Sequence, residues 1–385
     1  MRKKVLIGGV IYGRHNIGDE AILESMIRSF RTTTDLTVMS CDSMWITEKY
    51  PDVIRKNIPV LYGKPKLGLY AYPRKKFLSA FKNTFFPDLK PFKEYDVMLC
   101  GGGTILSDSA WHSLYSIEVA KKAGLPTIMW GVGMAEVQDA STRKYIERVC
   151  NSDTVLKIFT RDEYVMQRLI AYGVDAQKID VCYDPAYMLD ADQDPDFSFL
   201  TEEERALYYD ERPNVCVSLA GEPDVTNESH VKQIKVYVEA ITKTANVFLV
   251  PTGFGPACRD RELLKTLAIN DRVVLIRKEL QPTQLIAFLR KMEFIVSSRL
   301  HCSIFGAVAG VPSINIMRNK KNMDFARMFR LPALPMEEVT AMALLKLTNE
   351  MFAQREHLHH KINAMIHELR KKHQLAIESV ADIIS

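Results

Sequence analysis

Val5-Leu6-Ile7-Gly8-Gly9-Val10, followed by the glycine-containing stretch from Tyr12 to Glu20, is a short apolar run that ends in a turn. A run of this length bounded by glycine reads as a strand buried on both faces, the kind found in parallel sheets. The pattern recurs at 36–41, 96–101, 127–132, 156–160 and 179–183, with a stretch of helical length between most of these runs. Such alternation predicts βαβ units. After Asp184-Pro185 an acidic stretch from Asp190 to Asp196 reads as a linker, and the alternation restarts at 214–219, 246–251, 272–277, 294–298 and 312–317. The expected architecture is therefore α/β: two doubly wound, Rossmann-like domains, over 1–190 and 191–335, facing a cleft. In such sheets ligands bind beyond the carboxyl ends of the strands. Residues 336–385 are expected to form one or two amphipathic helices, because Ile362, Met365, Ile366 and Leu369 recur at spacings of three and four.

Length and composition agree with this reading. At roughly 150 residues per domain, 385 residues make more than one core. Hydrophobic residues at 47% and charged residues at 25% exclude a disordered or fibrous chain. Lys+Arg 51 against Asp+Glu 47 leaves +4, too near neutral for a dedicated nucleic-acid binder of this size. The apolar run near the start is too short for a signal peptide, and no stretch reaches the roughly 20 apolar residues of a membrane span, so a cytoplasmic protein is expected. Seven cysteines, Cys41, Cys100, Cys150, Cys182, Cys216, Cys258 and Cys302, stand singly with no CxxC pair, which speaks against a zinc site or a disulfide framework.

Candidate functional residues lie where strands end. At the first, glycines fall at 8, 9, 13 and 18, which is not the G-x-G-x-x-G spacing of a dinucleotide fingerprint, so Asp42 after the second strand is not read as a ribose ligand. Asn16 and Asp19 remain as candidate ligand contacts, with Asp19-Glu20 equally suited to complementing a helix N-terminus. Gly101-Gly102-Gly103 and Gly131-Val132-Gly133 allow close backbone approach to a ligand, or are simple strand-to-helix turns. Arg161 stands where a strand passes into a helix, and can bind an anion there or pair with Asp162. Ser297-Ser298-Arg299-Leu300-His301-Cys302 ends another strand. If the chain is still extended, side-chain alternation puts Arg299 and His301 on one wall and turns Leu300 toward the core.

Taken together, Tyr12-Gly13 through Asn16-Ile17-Gly18-Asp19-Glu20, Gly101-Gly102-Gly103 with Asp108, Gly131-Val132-Gly133, Arg161-Asp162, Asp184-Pro185-Ala186, and Arg299-Leu300-His301 through Gly310-Val311-Pro312 resemble the polysaccharide pyruvyl transferase family. The resemblance spans roughly residues 5–320. One departure is Met317-Arg318-Asn319-Lys320, where family members carry an aromatic shortly before a lysine.

The resemblance implies a fold similar to GT-B glycosyltransferases, and transfer of pyruvate from phosphoenolpyruvate to two hydroxyls of a sugar as a cyclic ketal. It implies a phosphoenolpyruvate site made by Arg161, Arg299, Leu300 and His301, with the donor on the second domain and the acceptor on the first. Two guanidinium forks suit a three-carbon frame carrying a phosphate and a carboxylate, and His301 is the candidate general acid/base. Gly102, Gly103, Gly133, Asn16 and Asp19 are candidate substrate contacts. No metal or other cofactor is expected. Asp190, Asp192 and Asp194 lack the glycine and terminal glutamate of a calcium loop. The alternative is a GT-B-type glycosyltransferase using a nucleotide sugar, with Arg299 on its diphosphate.

Two stretches carry separate expectations. Residues 62–93 mix lysine and arginine with tyrosine and phenylalanine, and Arg74, Lys75 and Lys76 are candidates for docking on an anionic membrane surface or a lipid-diphosphate-linked acceptor. That would place the protein at the inner face of the membrane. The alternative is an inserted helix with inward aromatics and solvated lysines. His357, His359, His360, His367 and His373 do not fall on one helical face, and a solvated helix is expected there.

Overall fold

The computed structural model describes residues 2–40, 42–51, 57–59, 88–222, 227–255, 258–318 and 320–384. Arg74, Lys75 and Lys76 lie outside them. Of the basic and aromatic stretch only its end is described, a short 3-10 turn over Lys90–Glu94 with Phe92 buried.

Two parallel sheets form. The first contains β1 (Lys3–Tyr12), β2 (Thr34–Ser40), β3 (Asn57–Pro59), β4 (Val97–Gly101), β5 (Thr104–Leu106), β6 (Thr127–Met134), β7 (Val155–Thr160) and β8 (Ile179–Val181). Their order is β3-β2-β1-β4-β6-β7-β8, with β5 beside β6. The second contains β9 (Asn214–Ser218), β10 (Asn246–Leu249), β11 (Val273–Leu275), β12 (Met292–Ser297), β13 (Ser313–Met317) and β14 (Ala333–Pro335), in the order β11-β10-β9-β12-β13-β14. Both orders run outward in two directions from an early strand, so the strand order reverses between β1 and β4 and again between β9 and β12. Those are the switch points where doubly wound folds leave a crevice.

The chain divides into two compact units. One comprises Met1–Arg14, Asp19–Pro185 and Lys371–Ser385; the other comprises His15–Gly18 and Ala186–Arg370. The second unit thus includes two residues of the loop after β1 and the first two of the helix Ile17–Phe30 that follows it. Their backbone pairs with the loop after β10: Asn16 bridges Gly253, Ile17 N–H donates to Thr252 O at 3.2 Å, and Phe254 N–H donates to His15 O at 2.9 Å.

In the first unit β4 and β6 are buried along their whole length, with Trp130 among Phe30 and Phe159 on one side of the sheet. Residues 341–384 form one continuous helix, Ala341–Ile384. Its last turns join this core through Ala376, Val380 and Ile384, and His373 is 1% exposed rather than solvated. His373 Nδ1 donates to Cys182 O at 2.7 Å while its ring meets the Trp130 ring edge-on. No described helix is long and apolar enough to cross a membrane.

Candidate functional site

In the first unit, the ends of β4, β6 and β7 bring Gly102, Gly103, Gly133 and Arg161 together. Gly102 (φ 84°) and Gly103 (φ 63°) turn the chain after β4. Gly102 N–H donates to Trp130 O at 2.9 Å, Gly133 N–H to Gly103 O at 2.8 Å, and Arg161 N–H to Val132 O at 3.1 Å. The Arg161 guanidinium lies against the Gly133 backbone: a Cβ added there would stand 2.6 Å from Arg161 Cζ. Any larger residue at 133 must move the arginine. Arg161 is 6% exposed, and its Nε approaches Asp162 Oδ2 at 3.4 Å, the weak end of hydrogen bonding. Asp162 Oδ1 meanwhile caps the helix Glu163–Ala171 through Val165 N–H at 2.8 Å. The aspartate is therefore shared between a helix cap and the arginine.

Other acids near these strand ends have structural work. Asp42 caps the helix Ser43–Lys49 by accepting from Trp45 N–H at 3.0 Å. Asp108 accepts from the backbone of Gln138 and Asp139, each at 3.1 Å. Asp19 and Glu20 lie in the first turn of the helix Ile17–Phe30, as acids should at a helix N-terminus. Glu20 Oε1 also accepts from Gly13 N–H at 2.9 Å. Burial, then the Asp19 charge, holds the Tyr12 hydroxyl well above its ordinary range.

The second unit holds a denser cluster around Asp260, the first residue of the helix Asp260–Lys265, which is fully buried. Its Oδ2 accepts from Gly253 N–H at 3.1 Å, Thr252 N–H at 3.4 Å and Arg299 Nε at 3.0 Å. Its Oδ1 accepts from Gly221 N–H at 2.9 Å and from Arg299 Nη2. One carboxylate thereby ties the loop after β9, the loop after β10 and the residue after β12 into one body. A buried carboxylate needs that many donors. Arg299 presents its remaining edge outward, where Nη1 donates to Glu222 Oε1 at 3.0 Å, and the other Glu222 oxygen lies 3.2 Å from Arg318 Nη1. Burial lowers the Arg299 pKa, but the hydrogen bond and charge of Asp260, followed by the charge of Glu222, outweigh it and the net shift is upward.

Arg299 caps the helix Leu300–Val308 in an extended conformation, and that helix is already under way at Leu300. The alternation expected over 299–301 therefore fails, because extended geometry stops at Arg299. Leu300 is buried, at 8% exposed. His301, half-buried on the first turn of that helix, reaches its place by helical geometry and lies against Gly18. A Cβ at Gly18 would fall 2.1 Å from His301 Nδ1, far inside contact distance, so the imidazole packs directly on the glycine backbone. Asn16 Oδ1 accepts from Gly18 N–H at 3.1 Å and so shapes that turn. His15, at φ 58°, meets Glu279 Oε2 through Nδ1 at 2.9 Å.

Arg299, His301 and Asn16 are thus gathered in one unit, while Arg161 with Gly102, Gly103 and Gly133 are gathered in the other. Asp260, Glu222, Arg318 and Gly18 were not expected as functional residues. Glu222 lies in the loop after β9, beyond a strand end as Arg299 does, whereas Asp260 stands eleven residues past β10 at the start of a helix, where no strand-end signal marks it. Among the described residues no group of three or more His, Cys, Asp and Glu gathers as a metal site.

Two parallel sheets of this order make a fold like that of GT-B glycosyltransferases and UDP-N-acetylglucosamine 2-epimerases. The fold is similar to a glycosyltransferase from Rickettsia africae (TM-score 0.60, 14% identity, 100% of this chain and 98% of that one). It is also similar to a UDP-GlcNAc 2-epimerase from Neisseria meningitidis bound to UDP-GlcNAc (TM-score 0.63, 13% identity, 99% and 100%). A further similar structure is that of a putative UDP-N-acetylglucosamine 2-epimerase from Listeria monocytogenes (TM-score 0.62, 14% identity, 94% and 90%). At these identities the likeness is one of fold. No curated protein matches the chain. The sequence model of the polysaccharide pyruvyl transferases matches residues 16–320, and the chain belongs to that family.

Proposed function

We propose that the protein transfers pyruvate from phosphoenolpyruvate to two hydroxyls of a sugar in a polysaccharide or lipid-linked glycan precursor, forming a cyclic ketal. The observation that carries this reading is Arg299: a guanidinium locked by Asp260 at the β9–β12 switch point, its outer edge bonded to the partly exposed carboxylate of Glu222, two residues from a half-buried histidine. Family membership supplies the reaction class.

In this scheme the methylene carbon of phosphoenolpyruvate takes up a proton and becomes the methyl group. A sugar hydroxyl adds to the carbon bearing the phosphate and loses its proton. The second hydroxyl then closes the ring as the carbon–phosphate oxygen bond breaks, and its proton leaves with the phosphate. His301 serves as general acid/base for these transfers. Arg299 stabilises the departing phosphate, and Arg161 is a second guanidinium for the donor. Leu300, Asn16, Asp19, Gly102, Gly103 and Gly133 are proposed substrate contacts. Nothing in these steps calls for a metal or other cofactor. Arg74, Lys75 and Lys76 are proposed to dock the acceptor or the membrane surface on the cytoplasmic side. Replacing all three by Glu should then lower binding to anionic vesicles.

The test is product analysis. Incubation with phosphoenolpyruvate and a panel of glycan acceptors should release phosphate in step with a ketal methyl signal in the proton spectrum of the acceptor. Phosphate release without ketal would contradict the scheme.

One observation favours a second reading. A cavity of about 530 Å³ in the second unit, whose charged lining is Lys232, Lys235 and Arg259 with Glu228 and Glu262, borders the Asp260 loop and has room for a nucleoside. A similar fold was solved from Anabaena in complex with UDP and glucose. Under this reading the protein is a GT-B-type glycosyltransferase, and UDP rather than phosphoenolpyruvate stabilises it.

A further inference from the structure

Arg299 has five N–H donors arranged along two edges. Asp260 takes the inner edge, through Nε and Nη2. Asp260 is fully buried and also holds three backbone N–H groups, so it cannot leave without breaking the loops after β9 and β10. The outer edge differs. Its partner, Glu222, lies in the loop after β9 and has a side chain 33% exposed. One oxygen of Glu222 is 3.0 Å from Arg299 Nη1 and the other is 3.2 Å from Arg318 Nη1, and the Arg318 side chain is 21% exposed. Only the first of these contacts is a hydrogen bond; the second oxygen is buried without a hydrogen-bond partner and faces Arg318 at ion-pair distance, so a donor carboxylate or phosphate with better-placed oxygens could engage both guanidiniums there.

We propose that Glu222 is an internal anion that occupies the donor site when it is empty, and that the phosphate or carboxylate of the donor displaces it onto the Arg299–Arg318 pair. Arg318 is then a second donor-binding cation of this unit and Glu222 the residue that sets donor affinity. The inference rests on the phosphoenolpyruvate reading above. The physical basis is competition. Two neighbouring guanidiniums at a sheet end repel each other, and some anion must hold them together. Glu222 supplies that anion from its own chain at a high effective concentration, so the donor binds in competition with it.

The experiment measures affinity for phosphoenolpyruvate and, separately, for inorganic phosphate by calorimetric titration of the full chain, with Glu222→Gln, Arg318→Gln and Arg318→Lys beside the parent. Circular dichroism confirms that each variant folds. Glu222→Gln keeps the shape and removes the charge, and both ligands should bind about fivefold to tenfold more tightly, the scale of one charge-assisted contact. Arg318→Gln should weaken both by a similar factor, and Arg318→Lys should recover part of the loss. Unchanged or weaker phosphoenolpyruvate binding in Glu222→Gln, with the parent binding it normally, overturns the inference and leaves the donor assignment standing. If neither parent nor variant binds phosphoenolpyruvate or phosphate while UDP does bind, the donor assignment itself is lost and the inference with it.

Discussion

Arg299 and Asp260 form a bidentate ion pair in which the aspartate is fully buried and the arginine keeps one edge toward Glu222. The pair is both scaffold and site, because the same carboxylate closes two neighbouring loops. Removing one member of a buried pair strands the other, and Asp260→Asn should lower the unfolding free energy by about 3 kcal/mol. Chemical denaturation measures this. A loss smaller than about 1 kcal/mol would mean that water replaces the carboxylate and that the pair is not buried in solution.

Arg299→Lys tests orientation rather than charge. Lysine keeps the cation but has no planar fork to engage Asp260 and an anion together. Phosphoenolpyruvate binding should fall about as far in Arg299→Lys as in Arg299→Ala, by an order of magnitude or more. Full retention of affinity in the lysine variant would show that a point charge suffices.

Gly18→Ala should separate folding from turnover. The added methyl would stand 2.1 Å from His301 Nδ1, and a side chain on two rotatable bonds gives way more cheaply than the backbone. The melting temperature should change little while kcat falls by about a hundredfold, the usual scale for misplacing a reacting group by an ångström. Equal losses in Gly18→Ala and His301→Ala would place the whole effect on the histidine, and undiminished kcat in Gly18→Ala would remove His301 from the reaction. Gly133→Ala acts in the same way on Arg161, whose Cζ would lie 2.6 Å from the new methyl. There the expected change is a KM for phosphoenolpyruvate raised about tenfold.

The C-terminal helix carries a pH-dependent element. Burial pushes the His373 imidazole down from 6.5 to about 4, against the smaller upward pull of its hydrogen bond to Cys182 O and of Asp184. Above pH 6.5 the ring is neutral in folded and unfolded chains alike and contributes no slope. Between pH 6.5 and about 4 the unfolded ring takes up a proton that the folded ring refuses, so stability falls as pH falls, by up to about 3 kcal/mol. His373→Gln keeps a donor for Cys182 O without titrating. Its unfolding free energy should be less sensitive to pH than the parent's between pH 7 and 4.5. Identical slopes would show that His373 is solvated in the native state.

The sheets were legible because buried parallel strands are written as apolar runs, and the eleven longer runs all became strands. The strands β3, β5 and β14 were not: β8 and β11 are as short but sit inside longer apolar runs, whereas Asn57-Ile58-Pro59, Thr104-Ile105-Leu106 and Ala333-Leu334-Pro335 do not. His373 is buried because 373, 376, 380 and 384 share one stripe of the last helix, a spacing visible in the sequence once the helix is known to continue. Arg299 and His301 were picked out correctly as neighbours at a strand end but for a reason that does not hold, since the helix starts between them. The pairing of Asn16 with Gly253, and Asp260's hold on three loops, join residues far apart in sequence; no local pattern encodes such contacts.

Ligand-dependent thermal unfolding tests the central claim most directly, because it needs no knowledge of the acceptor. A ligand at about 100 times its dissociation constant adds roughly 2.7 kcal/mol and raises the midpoint by a few degrees. Phosphoenolpyruvate should stabilise the parent protein and leave Arg299→Ala unmoved, with UDP and nucleotide sugars giving no shift. Stabilisation by UDP or a nucleotide sugar alone would contradict pyruvyl transfer and assign the site to glycosyl transfer.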